Sequence, residues 1–281
     1  TGQKFMVTPN KESNSQNIKL SIQVSLNGLS FCALSKDEKR ILFFKDILFS
    51  RRLNPSQVLQ QIEKQYEQEA FLQKEKPEVI ILFSNELYSL VPKEFFEEEH
   101  TSEYLKYNTK ILETDYVAHD EVTPADVVNV YIPYTNINNF FFDRYGEFEY
   151  RHCVSVLAEE FQIQNNFQTG GTRVYLNCFP GGYDLLVYQK GQLLLANTFS
   201  CSTREDFIYY LLFCAEQLDL DPYHFELILL GRIKEKSDYY DIAYTYVKEI
   251  KFLQTSFGYL FNSKDEPPKG YMHYALFKVL E

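Results

Sequence analysis

The chain has 281 residues, enough for one large domain or two modest ones, and its apolar share of 45% excludes a disordered polypeptide away from the ends. Its formal charge of −11 is spread along the sequence with no Lys/Arg stripe, which argues against nucleic acid as a partner. Five scattered cysteines (Cys32, Cys153, Cys178, Cys201, Cys214) make no Cys-x-x-Cys pair, so neither a zinc knuckle nor a redox dithiol is expected, and a reducing, cytoplasmic setting fits.

Residues 1–17 are polar and are expected to be a flexible amino-terminal tail. In the next stretch Ile18, Leu20, Ile22, Val24 and Leu26 alternate with polar residues, the period of a half-buried strand. Asn27-Gly28 then reads as a type I′ hairpin turn, Leu29, Phe31 and Ala33 as the return strand, and ILFFKDILFS as a third strand after a charged turn. Asn54-Pro55 opens a helix, because Asn caps free amides and Pro suits the first helical position; Val58, Leu59, Ile62, Tyr66 and Ala70 mark its apolar face. EVIILFS follows as a buried strand. Residues 91–132 are extra material, with short helices around FFEEEH and strands in VAHDE and VVNVYIP.

From Thr172 the same order begins again. TRVYLNCF, YDLLVYQ and QLLLANTFS are three strands joined by turns at Pro180-Gly181-Gly182 and Lys190-Gly191. Ser202 with Glu205 and Thr203 with Asp206 offer overlapping capping boxes for a helix whose face is Phe207, Ile208, Leu211, Leu212, Ala215 and Leu218. FELILLG is the buried strand that follows. Both halves then continue as a helix and a strand, in NINNFFFDRYGEFEYRH and SDYYDIAYTYVKEIKFLQ. A duplication of long period is the organising feature, with Gly28 matched to Gly182 and Phe49-Ser50 to Phe199-Ser200. The expected domains are 18–165 and 166–281, divided within the polar stretch QIQNNFQTGG.

Three antiparallel strands, a helix and a further buried strand, twice in tandem, resemble the actin-like ATPase fold: an α/β protein of two ribonuclease H-like lobes, each a mixed sheet flanked by helices. The chain resembles a bacterial family of unknown function assigned this fold, and in layout it is similar to the actin-like proteins of type IV pilus assembly. The resemblance implies nucleotide between the lobes, phosphate on the first hairpin of each, and adenosine on a glycine pair after the last buried strand of the second. The candidate phosphate and nucleotide loops are then Asn27, Gly28, Gly181, Gly182 and Gly231. The motifs depart from the family pattern where chemistry needs them. Leu26 stands at the place of the metal-binding Asp, Asn177 at its counterpart, Pro180 removes an amide, and Arg232 replaces the second adenosine glycine.

These departures point to a non-catalytic binding or scaffold protein with no catalytic residue, no metal and no assured cofactor, acting on a protein partner. The alternative is a divergent ATPase or phosphotransferase using ATP and Mg²⁺, with Asp184 and Asp46 as the carboxylates; a third is nucleotide binding without turnover. Other clusters have plainer readings. His119, Asp120 and Glu121 alternate across a strand, so they cannot converge, and the group is expected to be a solvated strand end. His152 beside Cys153 is tempting as a dyad, but strand neighbours diverge. Asp219, Asp221, His224 and Glu226 read as a helix end and a turn, and 22 Tyr with 24 Phe as sheet packing or, where exposed, a protein interface.

Overall fold

The computed structural model describes residues 3–4, 17–74, 76–106, 111, 115–167, 170–261 and 267–281. In chain order, β1 (Gln3–Lys4), β2 (Ile18–Ser25), β3 (Gly28–Ser35) and β4 (Arg40–Leu48) precede α1 (Pro55–Gln68), α2 (Ala70–Lys74) and β5 (Glu78–Phe83). An insertion holds β6 (Tyr88–Pro92), α3 (Thr101–Leu105), β7 (Ala118–Val122) and β8 (Val127–Tyr131). It is followed by α4 (Thr135–Tyr145), β9 (Glu149–His152) and α5 (Cys153–Asn165). The second half runs β10 (Thr172–Phe179), β11 (Gly182–Gln189), β12 (Gln192–Ser200), α6 (Arg204–Gln217), β13 (Phe225–Gly231), α7 (Asp238–Tyr246), β14 (Glu249–Phe252) and α8 (Tyr274–Lys278).

Two compact units result: Thr1–Val156 with Phe257–Pro267 and Ala275–Glu281, and Leu157–Ser256 with Pro268–Tyr274. The division is thus not a single cut near residue 165. It falls within α5, and the end of the chain returns to the first unit. Burial explains the return: Leu276, Phe277 and Leu280 pack on Cys32, Leu34 and Ile41, and the buried Ser21 Oγ donates to Leu276 O at 2.8 Å. Of the expected tail, Gln3–Lys4 instead pair antiparallel with β9, and apart from Asn17 the rest of 1–17 lies outside the described residues.

The sheet of the first unit has the order β1-β9-β5-β2-β3-β4 and that of the second β12-β11-β10-β13-β14. In each, a three-strand meander lies beside parallel strands reached through helices, so β2 pairs parallel with β5 as β10 does with β13. The sheets repeat one another down to an irregularity. The third strand carries a bulge, Leu42 opposite Ala33 and Leu34 in one unit and Leu194 opposite Val187 and Tyr188 in the other. Register corrects one detail of the duplication: Gly28 pairs with Leu48 and Gly182 with Ser200, so Ile47-Leu48, not Phe49-Ser50, corresponds to Phe199-Ser200. The length difference is the four-residue turn Lys36–Lys39 against the two-residue turn Lys190-Gly191.

Both meander-to-strand helices start on an expected cap, α6 on Thr203 with Asp206 and not on Ser202 with Glu205. Asn54 Oδ1 accepts from Gln57 N while Gln57 Oε1 accepts from Asn54 N, and Thr203 with Asp206 makes the same reciprocal pair. Helix α1 buries Val58, Ile62 and Tyr66, and the Tyr66 ring meets Phe31 edge-on. In the second unit Phe207, Leu211, Cys214 and Ala215 of α6 close over Val174, Leu176, Leu185 and Leu227. The insertion folds as a third sheet, β6-β8-β7, over its own cluster of Val91, Leu105, Val128, Val130 and Ile132.

Candidate functional site

The first hairpin turns on Leu26 and Asn27, since Ser25 pairs with Gly28. Neither turn residue has a positive φ, so this is not the type I′ turn expected of Asn27-Gly28. Ser25 supplies what the turn needs, accepting from Asn27 N at 3.2 Å and donating to Gly28 O at 3.1 Å. Gly28 is glycine for another reason: a Cβ there would sit 2.5 Å from Ile47 O of the neighbouring strand. In the second hairpin Phe179 pairs with Gly182, leaving Pro180 and Gly181 at the corner; Gly181, at φ +85°, completes a type II turn. A Cβ at Gly182 would meet Phe199 O at 2.2 Å, the same clash as at Gly28 with the equivalent carbonyl.

Gly231 ends β13, opposite Cys178. Its φ is +77°, and a Cβ would lie 2.2 Å from Cys178 O and 2.8 Å from Asn177 Oδ1. The equivalent residue of the first unit is Phe83, which is fully buried and paired with Val24. Within the second unit, then, Gly181, Gly182 and Gly231 gather at the carboxyl end of β10. Asn27 and Gly28 hold the corresponding end of β2.

Just behind each hairpin a polar row crosses three strands. In the second unit Asp184 is 3% exposed and accepts from Asn177 Nδ2 at 2.9 Å and Thr198 Oγ1 at 2.7 Å. In the first, the same cross-strand places hold Gln23, Ser30 and Asp46, with Ser30 Oγ donating to Asp46 at 2.8 Å. Hydroxyl and carboxylate have exchanged strands, and Asp46 is exposed where Asp184 is buried. Among the described residues no group of three or more His, Cys, Asp or Glu is placed to hold a metal ion.

A second polar cluster, in the first unit, lies at Asp120 and His152, both fully buried. Alternation along β7 does separate the three neighbours: His119 packs on the Phe96 ring, and Glu121 pairs with Lys93 at 3.0 Å, which lowers its pKa. Asp120, however, points inward and is no solvated strand end. It accepts from His152 N at 2.8 Å and Tyr131 Oη at 3.1 Å, and also bonds Ser155. Burial raises its pKa, with the Arg151 charge opposing. The His152 ring receives Val154 N–H on Nδ1 at 3.2 Å, so its proton sits on Nε2 and goes to Asn85 O at 3.1 Å. Burial lowers its pKa to about 3. Both ring nitrogens serve backbone groups, which leaves none to activate Cys153. The cluster ties the insertion to the end of β9.

Burial raises the thiol pKa at Cys32, Cys178, Cys201 and Cys214, and all five cysteines are buried and unpaired with one another. At the turn after α6, His224 Nδ1 lies 2.7 Å from Asp221, whose other oxygen accepts Tyr223 N–H; the group is exposed, as a turn should be. Among the described residues no helix is long and apolar enough to cross a membrane.

A repeated sheet of this order, with glycines at the hairpin end of each copy, defines the ribonuclease H-like lobes of the actin-like ATPase fold. A crystal structure from Bacteroides thetaiotaomicron VPI-5482, a protein with the actin-like ATPase fold and unknown function, is similar at a TM-score of 0.76 and 23% identity, over 85% of this chain and 91% of that one. The PilM-PilN type IV pilus biogenesis complex is similar at a TM-score of 0.61 and 9% identity, over 92% of this chain and 96% of that one. No curated protein matches the sequence. The chain belongs to the family described as Protein of unknown function (DUF3822), whose profile matches residues 8–250.

Proposed function

We propose that the protein is a cytoplasmic binding module that keeps the actin-like scaffold without turning over nucleotide, and that its partner is another protein. One observation carries this reading: three of the four glycines that could cradle phosphate are already required by the sheets. Gly28 and Gly182 make room for the carbonyls of Ile47 and Phe199, and Gly231 for that of Cys178. On this reading Asn27, Gly28, Gly181, Gly182 and Gly231 are turn and packing residues. The nearby carboxylates are also engaged, Asp184 by two side chains and Asp46 by Ser30. With Leu26 and Asn177 at the places expected for aspartates and Asp184 buried, the residues present fit a magnesium nucleotide poorly, since a metal held through water asks for more than the one exposed carboxylate of Asp46.

A protein partner is supported by the exposure of Tyr209, Phe213, Tyr244 and Tyr246, aromatic types favoured at interface centres. It is also in keeping with the fold similarity to PilM, which forms a complex with PilN. The test is phosphate release from Mg·ATP. The expected rate is that of buffer alone; hydrolysis that disappears in a folded Gly182→Ala variant would establish the alternative, a divergent ATPase or phosphotransferase.

A further inference from the structure

The two meanders end on edge strands that are equivalent in register but not in surroundings. In the first unit the β4 edge is met at its start. Leu260 adds to it as a parallel bridge, accepting from Ile41 N and donating to Lys39 O, both at 2.8 Å. On the helix side, Phe71 of α2 stacks on Phe43 at 5.2 Å, and Glu69 pairs with Lys45. In the second unit the equivalents of Phe43, Lys45 and Ile47 are Leu195, Asn197 and Phe199, and α6 has no following counterpart of α2. Among the described residues β12 bonds on one side alone, to β11.

This edge has the properties of a strand acceptor. Its nine residues, QLLLANTFS, contain neither charge nor proline, whereas β4 carries Arg40, Lys45 and Asp46, and β14 carries Glu249 and Lys251. Edges free of charge and proline are the ones onto which another chain can pair, and beyond the bulge at Leu194 the stretch Leu195–Ser200 runs in regular register. The bond from Cys201 N to Gly181 O sets the alternation, so Ala196, Thr198 and Ser200 direct their amides away from β11. Thr198 N–H is met by Asn197 Oδ1 at 2.9 Å, a side chain standing where a neighbouring carbonyl would be. Beside the edge, Tyr210 of α6 stacks on Phe199 at 5.0 Å. Next to it Tyr209 and Phe213, 60% and 44% exposed, stack on each other at 6.0 Å. The helix carries Glu205, Asp206 and Glu216 against the single cation Arg204.

From this we infer that the β12 edge, with the Tyr209–Phe213 flank of α6, takes up an extended segment of a partner protein by strand addition. The segment is apolar at alternate positions and carries Lys or Arg at its ends. Main-chain bonds to Ala196 and Ser200 hold it, its inward side chains lie against the exposed rings, and its cations face those rings and the acids of α6. The inference rests on the binding-module reading and names that module's site and the chemistry of its partner.

The probe is a fluorescein-labelled nonapeptide alternating valine and threonine, with lysine at both ends, followed by anisotropy and by hydrogen exchange. Saturable binding is expected, with slowed exchange at Ala196 and Ser200. Ala196→Pro removes an outward amide and takes no bond from β11, and should weaken binding tenfold or more. Leu194→Lys, at a 42% exposed position, should do the same should the proline variant prove unstable. The proposal is overturned by no binding, by equal binding in both folded variants, or by a homodimer that Leu194→Lys dissolves, since the edge would then be filled by a second copy. None of these readouts contains nucleotide, so failure here removes the edge site alone, and the module reading falls only with ATP turnover.

Discussion

The two units agree in the backbone of their sheets and differ in the side chains at the hairpin end and along the edge. Hairpin glycines, third-strand bulge and parallel pairing repeat, because each is fixed by a carbonyl or a ladder that lies within the sheet itself. The polar row behind the hairpin keeps its places yet exchanges hydroxyl and carboxylate, and the edge strand is met at its start in one unit and open in the other. The repeat thus keeps what holds the sheets and varies the side chains set upon them.

The largest effects are expected at the end of the buried parallel strand. Phe83→Ala should cost about 3–5 kcal/mol by leaving a void in the first unit. Gly231→Ala should cost about 3 kcal/mol in the second, because the new Cβ combines a left-handed φ with a backbone clash. Denaturant titration of each variant checks both, and a neutral Gly231→Ala would mean that β13 does not end as described.

Acid should act next, through the first unit. His152 is held neutral with a pKa of about 3, whereas the unfolded residue takes up a proton below about 6.5. Stability from this group is therefore present above pH 6.5 and lost towards pH 3, at up to about 1.4 kcal/mol per pH unit. Asp120, raised by burial, works in the opposite sense, because its folded carboxyl keeps a proton at a pH where the unfolded one has released it. Melting curves from pH 7 to 5 should fall more steeply for the wild type than for His152→Gln.

The exchanged polar pair gives a smaller contrast. Asp184→Ala leaves Asn177 and Thr198 without their acceptor and should cost about 1–3 kcal/mol. Asp46→Ala, at an exposed position, should stay within about 0.5 kcal/mol. Smallest of all is the cross-strand charge pair. Glu226, bonded to Arg173 at 3.0 Å and also to Lys251, should lose under about 1 kcal/mol as Gln, with the loss shrinking in salt. Its counterpart Glu78, paired with Lys36 nearer the surface, should lose less.

What was legible in the sequence was whatever leaves a period or a cap. Alternation gave β2 and β3, helical spacing gave α1 and α6, and Asn54 and Thr203 marked their starts. Helix α5 left no such trace. Cys153 through Ala158 are all buried, so its apolar residues follow no one-sided period. Strand β6 is five residues ending in Pro92, too short to stand out. The turn sits one residue before Asn27-Gly28 because Gly28 answers to the Ile47 carbonyl across the sheet, a contact that local turn chemistry does not encode. Among the candidate site residues, identity was readable and purpose was not: a glycine needed for close packing and one needed for phosphate look alike in a sequence. Asp120 and His152 stayed hidden for a related reason, since their partners Tyr131, Asn85 and Ser155 come from separate elements.

The central claim is that the hairpin glycines serve the sheets and not a phosphate, and thermal melting with and without Mg·ATP tests it most directly. A site filled at one hundred times its Kd would add about 2.7 kcal/mol, several degrees for units of this size. The expected result is a melting temperature unchanged by nucleotide. A rise that depends on magnesium would contradict the claim.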